Sequence, residues 1–163
     1  MPTPVYMWAK GDTSGEIAGS VTVKGRENAV EIIDIDHDMH IPTDLHTGQP
    51  SGKRVHSPFK VRAAVDKATP LLYRAAATGE NLPEVQFKFY MINQLGKEVH
   101  FYNILLTGAR CTAVITDVPN VKDKTQEHFP HMIEYWFVYN AIEWQWMDGA
   151  IVYEDNWYAP ESA

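Results

Sequence analysis

The chain has 163 residues, 14 Lys and Arg against 21 Asp and Glu for a formal charge of −7, and one cysteine. That length suits one compact domain, and 45% hydrophobic with 21% charged residues excludes global disorder. The lone Cys111 excludes an intrachain disulfide and a Cys-rich zinc site, and basic clusters limited to Lys53-Arg54 and Lys60-Val61-Arg62 argue against a nucleic-acid partner.

In chain order, period-two alternation predicts strands over Val5 to Ala9, Ile17 to Val23, Ala29 to Asp36, Phe59 to Val65, Val85 to Met91, Glu98 to Leu106, Arg110 to Val118 and His131 to Trp146. About eight strands result. Asp12-Thr13-Ser14-Gly15 and Asn93-Gln94-Leu95-Gly96 place Gly where a hairpin needs positive φ, so neighbouring strands pair antiparallel. Between Phe59 to Val65 and Val85 to Met91 lies an Ala- and Leu-rich stretch. One helix over about 67–78 is expected there, with Thr69 as its cap, Pro70 at its first helical position and Gly79 ending it. From Met39 to Pro58 three prolines and two glycines rule out ladder or helix, which predicts an ordered, interaction-bearing loop of about 20 residues.

His131 to Trp146 is apolar on both faces. Ile133, Tyr135, Phe137 and Tyr139 lie on one face, and Trp136, Val138, Ile142 and Trp144 on the other. A sheet with one wet face does not read that way. One short helix cannot cover such strands together with Phe101 to Leu106, so a substantial protein–protein interface is expected, with Trp136, Val138 and Trp144 as subunit-contact candidates.

Catalytic and ligand-binding patterns fail on spacing. Gly48 to Arg54 has three residues between its glycines and Arg after Lys53, so it does not fit a phosphate loop. His37, His40, His46 and His131 match no metal-binding spacing. Ser51, His56 and Asp44 form the best available triad guess, without a nucleophile elbow to support it. The residues point to no enzyme, cofactor or metal. Cys111 sits in an apolar alternation and reads as a buried structural thiol.

The strings Pro42-Thr43-Asp44, Thr47 to His56, Pro58-Phe59-Lys60, Asp66 to Tyr73 and Gly79-Glu80 closely resemble the haemolysin-coregulated protein family, the inner-tube proteins of the bacterial type VI secretion system. Gly96-Lys97-Glu98 with His100-Phe101-Tyr102, the strand ending Ile142-Glu143-Trp144, and the acidic-Trp tail Glu154 to Trp157 match as well. The resemblance implies an antiparallel β-barrel with one flanking helix and an extended loop. It implies six-membered rings stacked into a hollow tube, which a contractile sheath on a baseplate expels behind a spike, with small effector proteins in the lumen.

On this reading residues 1–147 are one barrel domain, with the extended loop at about 39–58, and 148–163 are a tail too short for a fused toxin domain. Ring stacking is assigned to the loop, with Asp44, Gln49, Ser51, Lys53, Arg54 and His56 as candidates. The start MPTPVYMWAKGD does not read as a signal peptide, and no apolar run reaches the roughly 18 residues of a membrane span. The protein is therefore expected in the cytoplasm before firing and outside the cell after it, without membrane insertion. The rival reading is a barrel that encloses a small ligand or cofactor.

Overall fold

The computed structural model describes residues 3–158. Eleven strands and one α-helix follow in the order β1 (Val5–Gly11), β2 (Gly15–Ile17), β3 (Val30–Asp36), β4 (Met39–His40), β5 (Val55–His56), β6 (Phe59–Ala64), α1 (Thr69–Thr78), β7 (Leu82–Ile92), β8 (Glu98–Asp117), β9 (Met132–Val138), β10 (Ala141–Trp146) and β11 (Ile151–Asn156), with a 3₁₀ turn at Lys124–Gln126. Every strand pairing is antiparallel.

Six strands close a barrel in the cyclic order β7-β1-β3-β6-β9-β8, the last pairing returning β8 to β7. Closure leaves these strands no free lateral edge. The alternation of the sequence is realised here: Met7, Phe59, Val61, Phe87, Leu106, Ile133, Tyr135 and Phe137 point inward and are fully buried, filling the interior with side chains. A six-stranded barrel packed in this way offers no support for the enclosed-ligand alternative.

The expected strand over Ile17 to Val23 shrinks to Gly15–Ile17. Beyond it, backbone bonds from Gly19 to the Asn28 carbonyl and between Val21 and residues 28 and 29 fold the chain into a loop. Arg26 pins that loop: its guanidinium lies 3.8 Å from the Tyr90 ring centre and 2.7 Å from Glu98. The chain follows this loop in place of the strand that alternation in Val21-Thr22-Val23 predicts.

The two expected strands Glu98 to Leu106 and Arg110 to Val118 are one 20-residue strand, β8. Its first half pairs with β10 and its second half with β9. Gly108, at φ 60°, stands between the two halves in a left-handed conformation that a glycine adopts at no steric cost.

Conversely, His131 to Trp146 is two strands, β9 and β10, divided at Tyr139-Asn140. The turn resets the side-chain phase. Ile142, expected beside Trp136, is instead fully buried in the core with Tyr135 and Phe137. Helix α1 runs close to its expected span and lays Leu72 and Ala75 on the core. Ala68 rather than Thr69 holds the cap position, without a side-chain cap, and Thr69 is the first helical residue, its side chain buried. Its hydroxyl accepts from the Asp66 N–H and meets the Tyr135 hydroxyl at 3.0 Å. Gly79 ends the helix in the left-handed conformation, as read from the sequence.

Candidate assembly surfaces

The extended loop is a hairpin at its base. Met39 and His40 pair with His56 and Val55, and Thr43 bridges Pro50, so a short ladder forms where none was expected. The apex is set locally: the Gly48 N–H donates to the Asp44 carbonyl, the Asp44 N–H to the Gln49 carbonyl, and the Asp44 carboxylate accepts from the His46 N–H. Leu45 at the tip is 96% exposed. Asp44, Gln49, Ser51 and Lys53, four of the six stacking candidates, also face solvent.

Arg54 and His56 point back into the molecule. Arg54 grips the Asp155 carboxylate with Nε and a terminal nitrogen, and donates to the Asn156 carbonyl at 3.0 Å. His56, 5% exposed, places Nε2 2.7 Å from Asp155 and Nδ1 2.8 Å from the Tyr139 hydroxyl, while its ring stacks on Trp157. His37 reaches the same hydroxyl at 2.9 Å.

With both imidazoles neutral, one assignment satisfies every group. His37 Nε2–H donates to Tyr139, Tyr139 O–H donates to His56 Nδ1, and His56 Nε2–H donates to Asp155. Burial works against the Asp155 charge, but hydrogen bonds from Arg54 and His56 outweigh it and hold the carboxyl below the ordinary aspartate range. Ser51, His56 and Asp44 do not converge: His56 is committed to β11, while Ser51 and Asp44 lie on the exposed arm.

Trp136 and Val138 lie on the outer barrel face of β9, half-buried. Lys60 from β6 sits 4.2 Å over the Trp136 ring, the indole N–H donates to Glu134 at 2.5 Å, and Arg62 reaches the same Glu134 at 3.3 Å. Trp144 lies elsewhere. It pairs with Ile104 of β8, so it shares the core-side face of a wing that β10 and β11 add to the edge of β8.

Three lateral rows cross that face. Val85, Leu106, Ile142 and Asp155 are buried, whereas in the next row Phe87 and Ile104 are buried, Trp144 is half-buried and Tyr153 is exposed. In the last row Phe89 and Tyr102 are half-buried while Trp146 and Ile151 are exposed. Sequence reading missed β11 and with it Asp155, Tyr153 and Ile151. The β-branched and aromatic run Ile151-Val152-Tyr153 was the available signal.

A family profile described as "Type VI secretion system effector, Hcp" matches residues 6–146. The chain is 31% identical to the "Major exported protein" of Pseudomonas aeruginosa over 98% of both chains. Among solved structures, a doubly substituted Hcp1 from E. coli EAEC 042 is 35% identical, superposing with a TM-score of 0.85 over 96% of this chain and 99% of that one. A second Hcp protein structure gives 26% identity and a TM-score of 0.89 over 97% and 99%. The secreted protein Hcp3 of Pseudomonas aeruginosa gives 26% and 0.79 over 96% and 99%. Barrel, flanking helix, extended loop and sequence all agree: the chain belongs to the Hcp family, the tube subunits of the type VI secretion system.

Proposed function

We propose that this subunit closes six-membered rings, that the rings stack through the extended loop, and that the resulting tube is expelled behind a spike by a sheath assembled on a baseplate, carrying small effectors in its lumen. The role is structural rather than catalytic. The observation that carries self-association is the wing: a largely apolar sheet face that continues from the barrel core to Tyr153, Trp146 and Ile151, which are 50%, 44% and 68% exposed. Side chains of this size expose large apolar areas, and burial yields roughly 25 cal/mol per Å² before association costs.

A head-to-tail ring needs two different patches on each copy. The wing face with Trp144 supplies one, and the outer β9 face with Trp136 and Val138 the other. For stacking, the exposed apex residues Asp44, Gln49, Ser51 and Lys53 make the contacts, while Arg54 and His56 hold the loop in place. Export follows the pattern of the Pseudomonas relative named for it, from the cytoplasm through the apparatus and without membrane insertion.

Sedimentation equilibrium of the pure chain tests this. The expected mass is six times 18.5 kDa, and Trp146→Asp with Ile151→Asp should give folded monomers by circular dichroism. A wild-type chain that stays monomeric at high concentration would overturn the reading.

A further inference from the structure

We propose that β11 is the seat that orients the extended loop for assembly, with Asp155 as the positioning residue acting through Arg54 and His56. The inference rests on the stacking role given to the loop above. Asp155 is 2% exposed and lies at the far end of the chain from the loop, 99 residues beyond His56 and 101 beyond Arg54. It receives two Arg54 nitrogens and His56 Nε2, and Trp157, two residues on, packs against both His56 and Tyr139. Both loop residues stand at or beside β5, the returning arm of the hairpin, so their fixation sets the direction in which the apex projects.

The topology makes this latch separable from the fold. The barrel closes through β8–β9 pairing, and among the described residues β11 pairs with β10 alone. Opening the latch therefore frees the loop and the last strand while the six-stranded ring of pairings stays intact, a local rather than global event. Coupling of this kind is reciprocal: what orders the loop also orders β11, and what pulls on β11 releases the loop. A buried carboxylate stripped of its cation is strongly disfavoured, so the two segments hold or open together.

The test uses the full chain. Asp155→Asn keeps the shape and removes the charge, and Arg54→Gln breaks the pair from the loop side. Hydrogen exchange is followed over 39–56, 151–158 and the barrel strands. Ring mass is followed by native mass spectrometry, and stacked-tube length by negative stain. We expect exchange in both 39–56 and 151–158 to accelerate at least about tenfold in either variant with β6 and β7 unchanged, and tubes to shorten while rings persist.

Unchanged exchange over 39–56, or loss of barrel protection in both variants, would overturn the proposal. The apex variant Leu45→Asp with Lys53→Glu, which leaves the latch alone, separates the two claims. If it abolishes stacking while Asp155→Asn does not, the latch proposal fails and the loop reading stands. If neither affects stacking, the loop reading fails and takes the latch proposal with it.

Discussion

Replacing Gly108 with alanine tests the idea that one continuous strand serves both barrel and wing. Gly108 holds φ 60°, a left-handed conformation that costs a residue with a Cβ roughly 1–2 kcal/mol. The new methyl would also land on the Asn140 side chain, 2.9 Å from its Cγ and 3.2 Å from its Cβ. Asn140 cannot retreat by moving its backbone, because its N–H donates to the Thr107 carbonyl at 3.0 Å and its carbonyl accepts from Trp157 at 2.9 Å.

Overpacking adds about 1 kcal/mol or more, so Gly108→Ala should destabilise by about 2–3 kcal/mol in total. In an Asn140→Gly background the clash disappears and only the conformational part remains. The double-mutant cycle should then show a coupling of about 1 kcal/mol. Urea unfolding followed by tryptophan fluorescence reads both numbers from the midpoint at constant slope. A Gly108→Ala cost below about 0.5 kcal/mol, or one unchanged by Asn140→Gly, would refute the reasoning.

Other outcomes follow from the same geometry. Phe87 is fully buried and 4.7 Å from Phe59, centre to centre, so Phe87→Ala should cost about 3–5 kcal/mol in the same urea assay. His37 and His100 both have pKa values lowered mainly by burial, with the neighbouring His56 adding to it at His37 and the Lys88 charge at His100, and with Asp38 and Asp36 opposing at His37. The unfolded chain then binds protons that the folded chain does not. Stability is complete above the unfolded histidine value of about 6.5 and falls as pH drops through it toward the folded values. A urea midpoint that does not decrease between neutral pH and about pH 5, or a slope that persists when both residues are replaced, would contradict this assignment. Burial pushes the Cys111 thiol up to about 11. Iodoacetamide near pH 8 should therefore leave the native chain unlabelled and modify it only in urea; fast native labelling would show that the thiol is reachable.

Local patterns in the sequence were enough for much of the fold. Alternation in Val85 to Phe89 and Phe59 to Ala63 placed β7 and β6 with Val85, Phe87, Phe59 and Val61 inward, although a register shift after Phe89 buries Tyr90 and exposes Met91 where the alternation predicts the reverse, and Gly79 marked the end of α1. These signals are short-range, because side-chain period and backbone chirality act within a few residues. The Pro- and Gly-rich stretch announced the loop, and its lettering announced the family.

What the sequence left undecided depended on contacts between distant residues. Gly108 reads equally as a break between strands or a position within one, and only β10 and β9 on the two halves of β8 decide for the latter. The phase of Ile142 and Trp144 flips at a turn that no local pattern in His131 to Trp146 revealed, which moved Trp144 from the barrel exterior to the wing. Arg54 reads as a stacking contact of the loop until Asp155 is brought against it from 101 residues away. Period and turn chemistry are written along the chain, whereas register, strand phase and the partner of a buried charge are fixed only when segments meet.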